Sequence, residues 1–148
     1  MPFTTIRAIA NLTNADAILS DKEHESRPPI VVHPRDVVRC EVVVPWCTSS
    51  GEFPTRHLRV DFTDPRPGGP RNLYSVWQQT ISGIDLVRYS GYAPPPPGQD
   101  VNIDPPYRQN APPLADSRTG GEYRVYGDSS AVLVINEQAW VILVRIMG

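Results

Sequence analysis

A period-two alternation of apolar and polar side chains recurs along this chain. In residues 37–46, VVRCEVVVPW, the even positions Val38, Cys40, Val42, Val44 and Trp46 form one face while Arg39 and Glu41 point the other way. In residues 57–62, HLRVDF, the apolar Leu58, Val60 and Phe62 interleave with His57, Arg59 and Asp61. A repeat of two marks a half-buried strand. No stretch of about 11 residues or more keeps a helical stripe free of proline or a β-branched cluster. The chain is therefore expected to be all-β.

The remaining segments extend that reading. Residues 4–12 place Ile6, Ala8, Ala10 and Leu12 on one face, with Arg7 and Asn11 opposite, and NLTNADA then turns the chain into a short strand at Ile18 and Leu19. Asn11-Leu12-Thr13 fits a glycosylation sequon, but with no secretory signal it reads as part of that turn. LYSVWQQT and IDLVRYS follow, joined at Ser82-Gly83; Leu73, Ser75, Trp77 and Gln79 share one face and Tyr74, Val76 and Gln78 the other. Neither face is purely apolar, which predicts a hairpin at a sheet rim or pocket mouth. EYRVYG forms a further strand, and AVLVI with WVILVRIM closes the chain as a hairpin apolar at both parities, which needs cover on both faces. About nine or ten strands in 148 residues predict an antiparallel β-sandwich or partly closed β-barrel, in one domain over residues 1–148. The strand, NLTNAD turn, strand and central VVRCEVVVPW order resembles small β-sandwich lectins and membrane-binding toxins, a resemblance of fold that carries no site residue.

Residues 91–113, GYAPPPPGQDVNIDPPYRQNAPP, hold eight prolines in 23 residues between two predicted strands. So long a loop inside one domain is expected to serve a function, and its prolines reduce the entropy lost on ordering it. It reads as an ordered strap. Either it forms part of a binding site, leaving Tyr92 and Tyr107 partly exposed, or it covers the second apolar face of the terminal hairpin and buries both.

Reactive chemistry leaves little trace. The sequence has no G-x-S-x-G, no phosphate-binding loop, no dinucleotide fingerprint and no H-E-x-x-H. Cys40 and Cys47, seven positions apart across an extended run, would lie about 20 Å apart, well beyond the roughly 6 Å of a disulfide. They are expected to be free thiols. His33 and His57 fall at spacings unlike those of a zinc site, and the calcium-like run Asp100, Asn102, Asp104 fails at Pro105 and Ala111. Neither a metal nor any other cofactor is expected. A net charge of -2 argues against nucleic acid as a partner, and no run of apolar residues is long enough for a transmembrane helix. Without a signal peptide in its first residues, the chain is expected to be cytoplasmic.

The function predicted from these features is a non-enzymatic module recognising a glycan or a lipid headgroup. Its candidate ligand-binding residues are Trp77, Gln78, Arg88, Tyr92, Asp100, Asp104, Tyr107 and Arg108, where flat aromatic faces neighbour planar polar groups. One alternative is a small β-barrel cyclase or isomerase enclosing an apolar small molecule under the proline-rich loop, with His57 or Asp61 in a deep cavity. Another is a structural subunit forming a homo-oligomer through the C-terminal hairpin.

Overall fold

The computed structural model describes residues 2–48, 52, 55–63, 71–92, 120–137 and 141–146, without the side chains of 63, 71–73, 81, 90–92 and 120–123. Among these residues there are ten strands: β1 Thr4–Asn11, β2 Ala17–Asp21, β3 Ile30–Val32, β4 Asp36–Val43, β5 Leu58–Thr63, β6 Arg71–Ile81, β7 Ile84–Tyr92, β8 Gly120–Arg124, β9 Ser129–Ile135 and β10 Val141–Ile146. A 3-10 turn, Lys22–His24, follows β2. The strands form two sheets, ordered β10-β9-β1-β4 and β3-β2-β5-β6-β7-β8, a sandwich and not a closed barrel. Every pairing is antiparallel except β1 with β9, so the four-stranded sheet is mixed.

The alternation that predicted the strands also built the core. Ile6, Ile9, Leu133, Ile135, Val141 and Leu143 from the four-stranded sheet meet Leu19, Leu58, Val60, Phe62, Tyr74, Val76 and Val87 from the other in one buried cluster. Phe62 and Tyr74 stack within it, ring centroids 5.9 Å apart. Cys40 and Cys47 are both free thiols.

In β1 the expected face is broken. The register shifts between Ile6 and Ala8, a bulge at Arg7 that moves the inward set from Ile6 to Ile9 and Asn11 and leaves Leu12 37% exposed. Asn11 is fully buried: its amide nitrogen donates to the carbonyls of Ala15 at 2.7 Å and Val32 at 3.0 Å, and its Oδ1 accepts from the Thr13 amide and hydroxyl. The sequon asparagine is thus a turn residue, as its sequence context indicated.

The β6–β7 hairpin turns through Ser82 and Gly83, both at positive φ, the backbone of a two-residue type I′ connection. It does not lie at a rim. β6 and β7 are interior strands, flanked by β5 and β8, and consecutive residues of β6 from Tyr74 to Gln79 are all buried. Both faces of this part of the sheet are therefore covered, although Ser75, Gln79 and Arg88 lend the outer one a polar composition.

The outer face of the four-stranded sheet has the opposite character. Its registers align three rows of four side chains: Val37, Ala10, Val134, Ile142; Arg39, Ala8, Val132, Val144; and Val43, Thr5, Ser130, Ile146. The terminal hairpin is apolar on both faces, as its sequence indicated, yet Val144 and Ile146 on its outer face are 48% and 40% exposed.

Candidate functional site

Of the sequence-predicted site residues, Trp77 and Arg88 come together. They are directly paired across β6 and β7, with the guanidinium 5.9 Å from the indole ring centroid. Gln79 joins them: its Oε1 accepts from Trp77 Nε1 at 2.7 Å and from an Arg88 guanidinium nitrogen at 3.1 Å. Trp77 is 1% exposed, Gln79 1% and Arg88 4%, so no side of this cluster opens on solvent. Cys47 packs against the indole. Gln78 points to the opposite face of β6, and its side-chain amide donates to the Pro2 carbonyl at 3.2 Å. Tyr92 ends β7 with its Cα opposite Leu73, its side chain outside the described residues. Asp100, Asp104, Tyr107 and Arg108 also lie outside them, as does the question of whether the proline-rich segment binds or covers.

An open aromatic site arises elsewhere, where β4 leaves its own sheet. Past Val43 the chain crosses to the six-stranded sheet: Trp46 bridges Gln78 in parallel, Gln78 N donates to the Pro45 carbonyl at 2.9 Å and Cys47 N to the Gln78 carbonyl at 2.8 Å. The crossing leaves Trp46 half-buried at the end of the sandwich, and its indole Nε1 is fixed by a 3.1 Å hydrogen bond to the Pro2 carbonyl. Phe3, 50% exposed, stands nearby. Both rings line an open cleft of about 380 Å³, together with Pro45 and with Asp21, Glu23, His24, Arg27 and Arg56.

The polar wall is held in place by its own hydrogen bonds. Asp21 caps the 3-10 turn, Oδ1 accepting from the Glu23 amide at 3.0 Å, while Oδ2 lies 3.1 Å from His24 Nδ1 and 3.9 Å from the Arg27 guanidinium. Glu23 pairs with Arg56 at 3.2 Å, and Lys22 N donates to the His57 carbonyl at 3.0 Å, which ties the turn to β5. Planar carboxylate, guanidinium and imidazole groups therefore face the cleft in fixed orientations, a prerequisite for low-cost hydrogen bonding to a polyhydroxylated ligand.

Two further clefts flank this one. The larger, about 490 Å³, lies across the end of the four-stranded sheet, lined by Thr5, Arg7, Ser129, Ser130 and Arg145 and sharing Phe3 and Val43 with the first. A small one of about 180 Å³ includes Cys40, whose thiol burial pushes upward and so keeps protonated near neutral pH, unsuited to act as a nucleophile. His57 is wholly buried, and neither it nor Asp61 lines any of these clefts.

Sequence reasoning placed Trp46 on one strand face with Val38, Cys40, Val42 and Val44 and gave no role to the charged run SDKEHES, residues 20–26. A signal was available: proline before tryptophan at the end of an alternating strand marks a point where the ladder stops, and an aspartate before a short polar turn is a capping pattern. The convergence of residues 21–27, 46 and 56 was not visible, because it depends on strand order. No family model matches the chain, nor does any curated protein or any solved structure.

Proposed function

We propose that this chain is a non-enzymatic binding module that takes a neutral glycan in the Trp46 cleft. The observation that carries the reading is Trp46 itself: an indole pinned through Nε1 to the Pro2 carbonyl, at the wall of an open cleft of about 380 Å³ whose polar groups are paired carboxylates and guanidiniums and the His24 imidazole. A sugar ring offers an apolar C–H face to such an aromatic and hydroxyls to such planar polar groups. The cleft's two carboxylates, Asp21 and Glu23, are matched by two guanidiniums, Arg27 and Arg56. That balance favours a neutral saccharide over the phosphate of a lipid headgroup, which needs surplus positive charge.

A glycan array probed with the folded protein, followed by calorimetry on the best hit, tests this. Trp46→Ala should weaken binding by about tenfold, the upper range for one aromatic contact, and Phe3→Ala by less. Binding to anionic liposomes with silence on the array would assign the cleft to headgroups. Silence on both, from a sample with an intact β-sheet spectrum, would end the binding-module reading.

A further inference from the structure

We propose that the apolar outer face of the four-stranded sheet is where two copies of this chain associate face to face. Within its three rows the polar side chains are Arg39, Thr5 and Ser130, and the other nine are Val, Ile or Ala. Val37 is 58% exposed, Val144 48%, Val43 45% and Ile146 40%. Four strands about 4.8 Å apart and three rows, taken at the same-face spacing of about 6.8 Å, span roughly 400 Å² in projection, interrupted on β1 and β4 between the second and third rows by the Arg7–Glu41 pair. A patch of that order is as large as the largest on a typical monomer, which is often functional, and corresponds to the weak, transient class of protein–protein contact.

A second copy is the occupant that this surface fits. Arg7 is paired with Glu41 at 2.9 Å and Arg35, at one end, with Glu137 at 3.5 Å, so within the three rows the charge left to be accommodated is the exposed Arg39 on the edge strand β4. One cation offers little to an anionic membrane or a nucleic acid, and with β10 of one copy over β4 of the other the two Arg39 side chains start from opposite edge strands, three strand spacings or about 14 Å apart. The relief is self-complementary as well. In the register, β1 contributes the small Ala8 and Ala10, and its neighbour β9 contributes Val132 and Val134. A two-fold axis parallel to the strands and between β1 and β9 lays the valines of each copy over the alanines of the other, and β10 over β4. That would be an aligned sheet-on-sheet packing with an isologous interface.

Sedimentation velocity on the full chain, from about 1 to about 200 µM to bracket the micromolar affinity expected of so small an interface, tests the proposal. The wild type should pass from monomer to dimer across that range. Val134→Glu, and independently Val144→Lys at a half-exposed position, should hold it monomeric with an unchanged circular dichroism spectrum. Val31→Glu, on the outer face of the other sheet and 42% exposed, should dimerise as the wild type does. A wild-type monomer at the highest concentration would overturn the proposal. So would a dimer that survives both Val134→Glu and Val144→Lys, or one that Val31→Glu disrupts equally.

Discussion

On the outer face of the six-stranded sheet, Ser75, Trp77, Gln79 and Arg88 are between 0% and 4% exposed, whereas on that of the four-stranded sheet Val37, Val43, Val144 and Ile146 are between 40% and 58%. Over β6 and β7 the polar outer face is the buried one, while the apolar face of the four-stranded sheet is open. Burial here follows cover, not composition. A buried guanidinium is tolerable because Gln79 Oε1 serves both Arg88 and the Trp77 indole, so desolvation is offset by a charge-assisted hydrogen bond and a cation–π contact. Among the described residues nothing covers the apolar face in this way, and only another surface can remove it from water.

That contrast can be broken by substitution. The largest effect should come from Trp77→Ala, which removes a fully buried indole and should cost about 3–5 kcal/mol in urea unfolding. A cost below about 1 kcal/mol would mean the outer face of β6 is open in solution. Next in size is Gln79→Leu, which leaves both donors without that acceptor and should cost about 1–3 kcal/mol. A neutral result would place the pairing of Trp77 and Arg88 in other hands.

A smaller effect is expected from Tyr89, whose ring packs against the core between the sheets. Burial pushes its phenol above the ordinary 10.0, opposed in part by a backbone hydrogen bond with Leu143 on β10. A folded-state value raised in this way contributes stability below the ordinary pKa that is lost as pH climbs through the raised one. Burial of the Cys40 thiol, whose ordinary value is 9.0, adds a loss of the same sign at lower pH. Tyr89→Phe should therefore flatten the fall in stability above about pH 10, read from denaturant midpoints, and leave the Cys40 contribution in place. Identical alkaline slopes for the two proteins would refute this. The smallest effect should be Val144→Ala on the open face, within about 0.5 kcal/mol in dilute monomer. A cost comparable to that of Trp77→Ala would show the face to be covered within one chain.

Much of the fold was legible because period-two alternation maps directly onto which side chains enter the sandwich. Val42, Val44, Leu58, Val60 and Phe62 are buried as their spacing indicated, and Arg39 and Glu41 are exposed. The parity of β1 was hidden because Ala8 and Ala10 are apolar enough to mimic an inward face, while the bulge at Arg7 moves that role to Ile9. The cover over Ser75, Trp77 and Gln79 was hidden for a different reason: alternation reports polarity, and a buried set in which Gln79 serves both Trp77 and Arg88 reads as a rim. The candidate site was least legible. Trp46 obeys the alternation of its strand, and only the crossing of residues 45–47 to β6 turns it toward the Asp21 and Arg56 side of the sandwich end.

The claim that the Trp46 cleft, and not the Trp77 cluster, receives the ligand can be tested on the indole N–H resonances. In a ¹⁵N-labelled sample titrated with a panel of neutral mono- and disaccharides, at least one sugar should shift the Trp46 indole progressively and leave the Trp77 indole in place. Movement of the Trp77 indole with Trp46 unchanged, or no movement of either across the panel, would contradict the account.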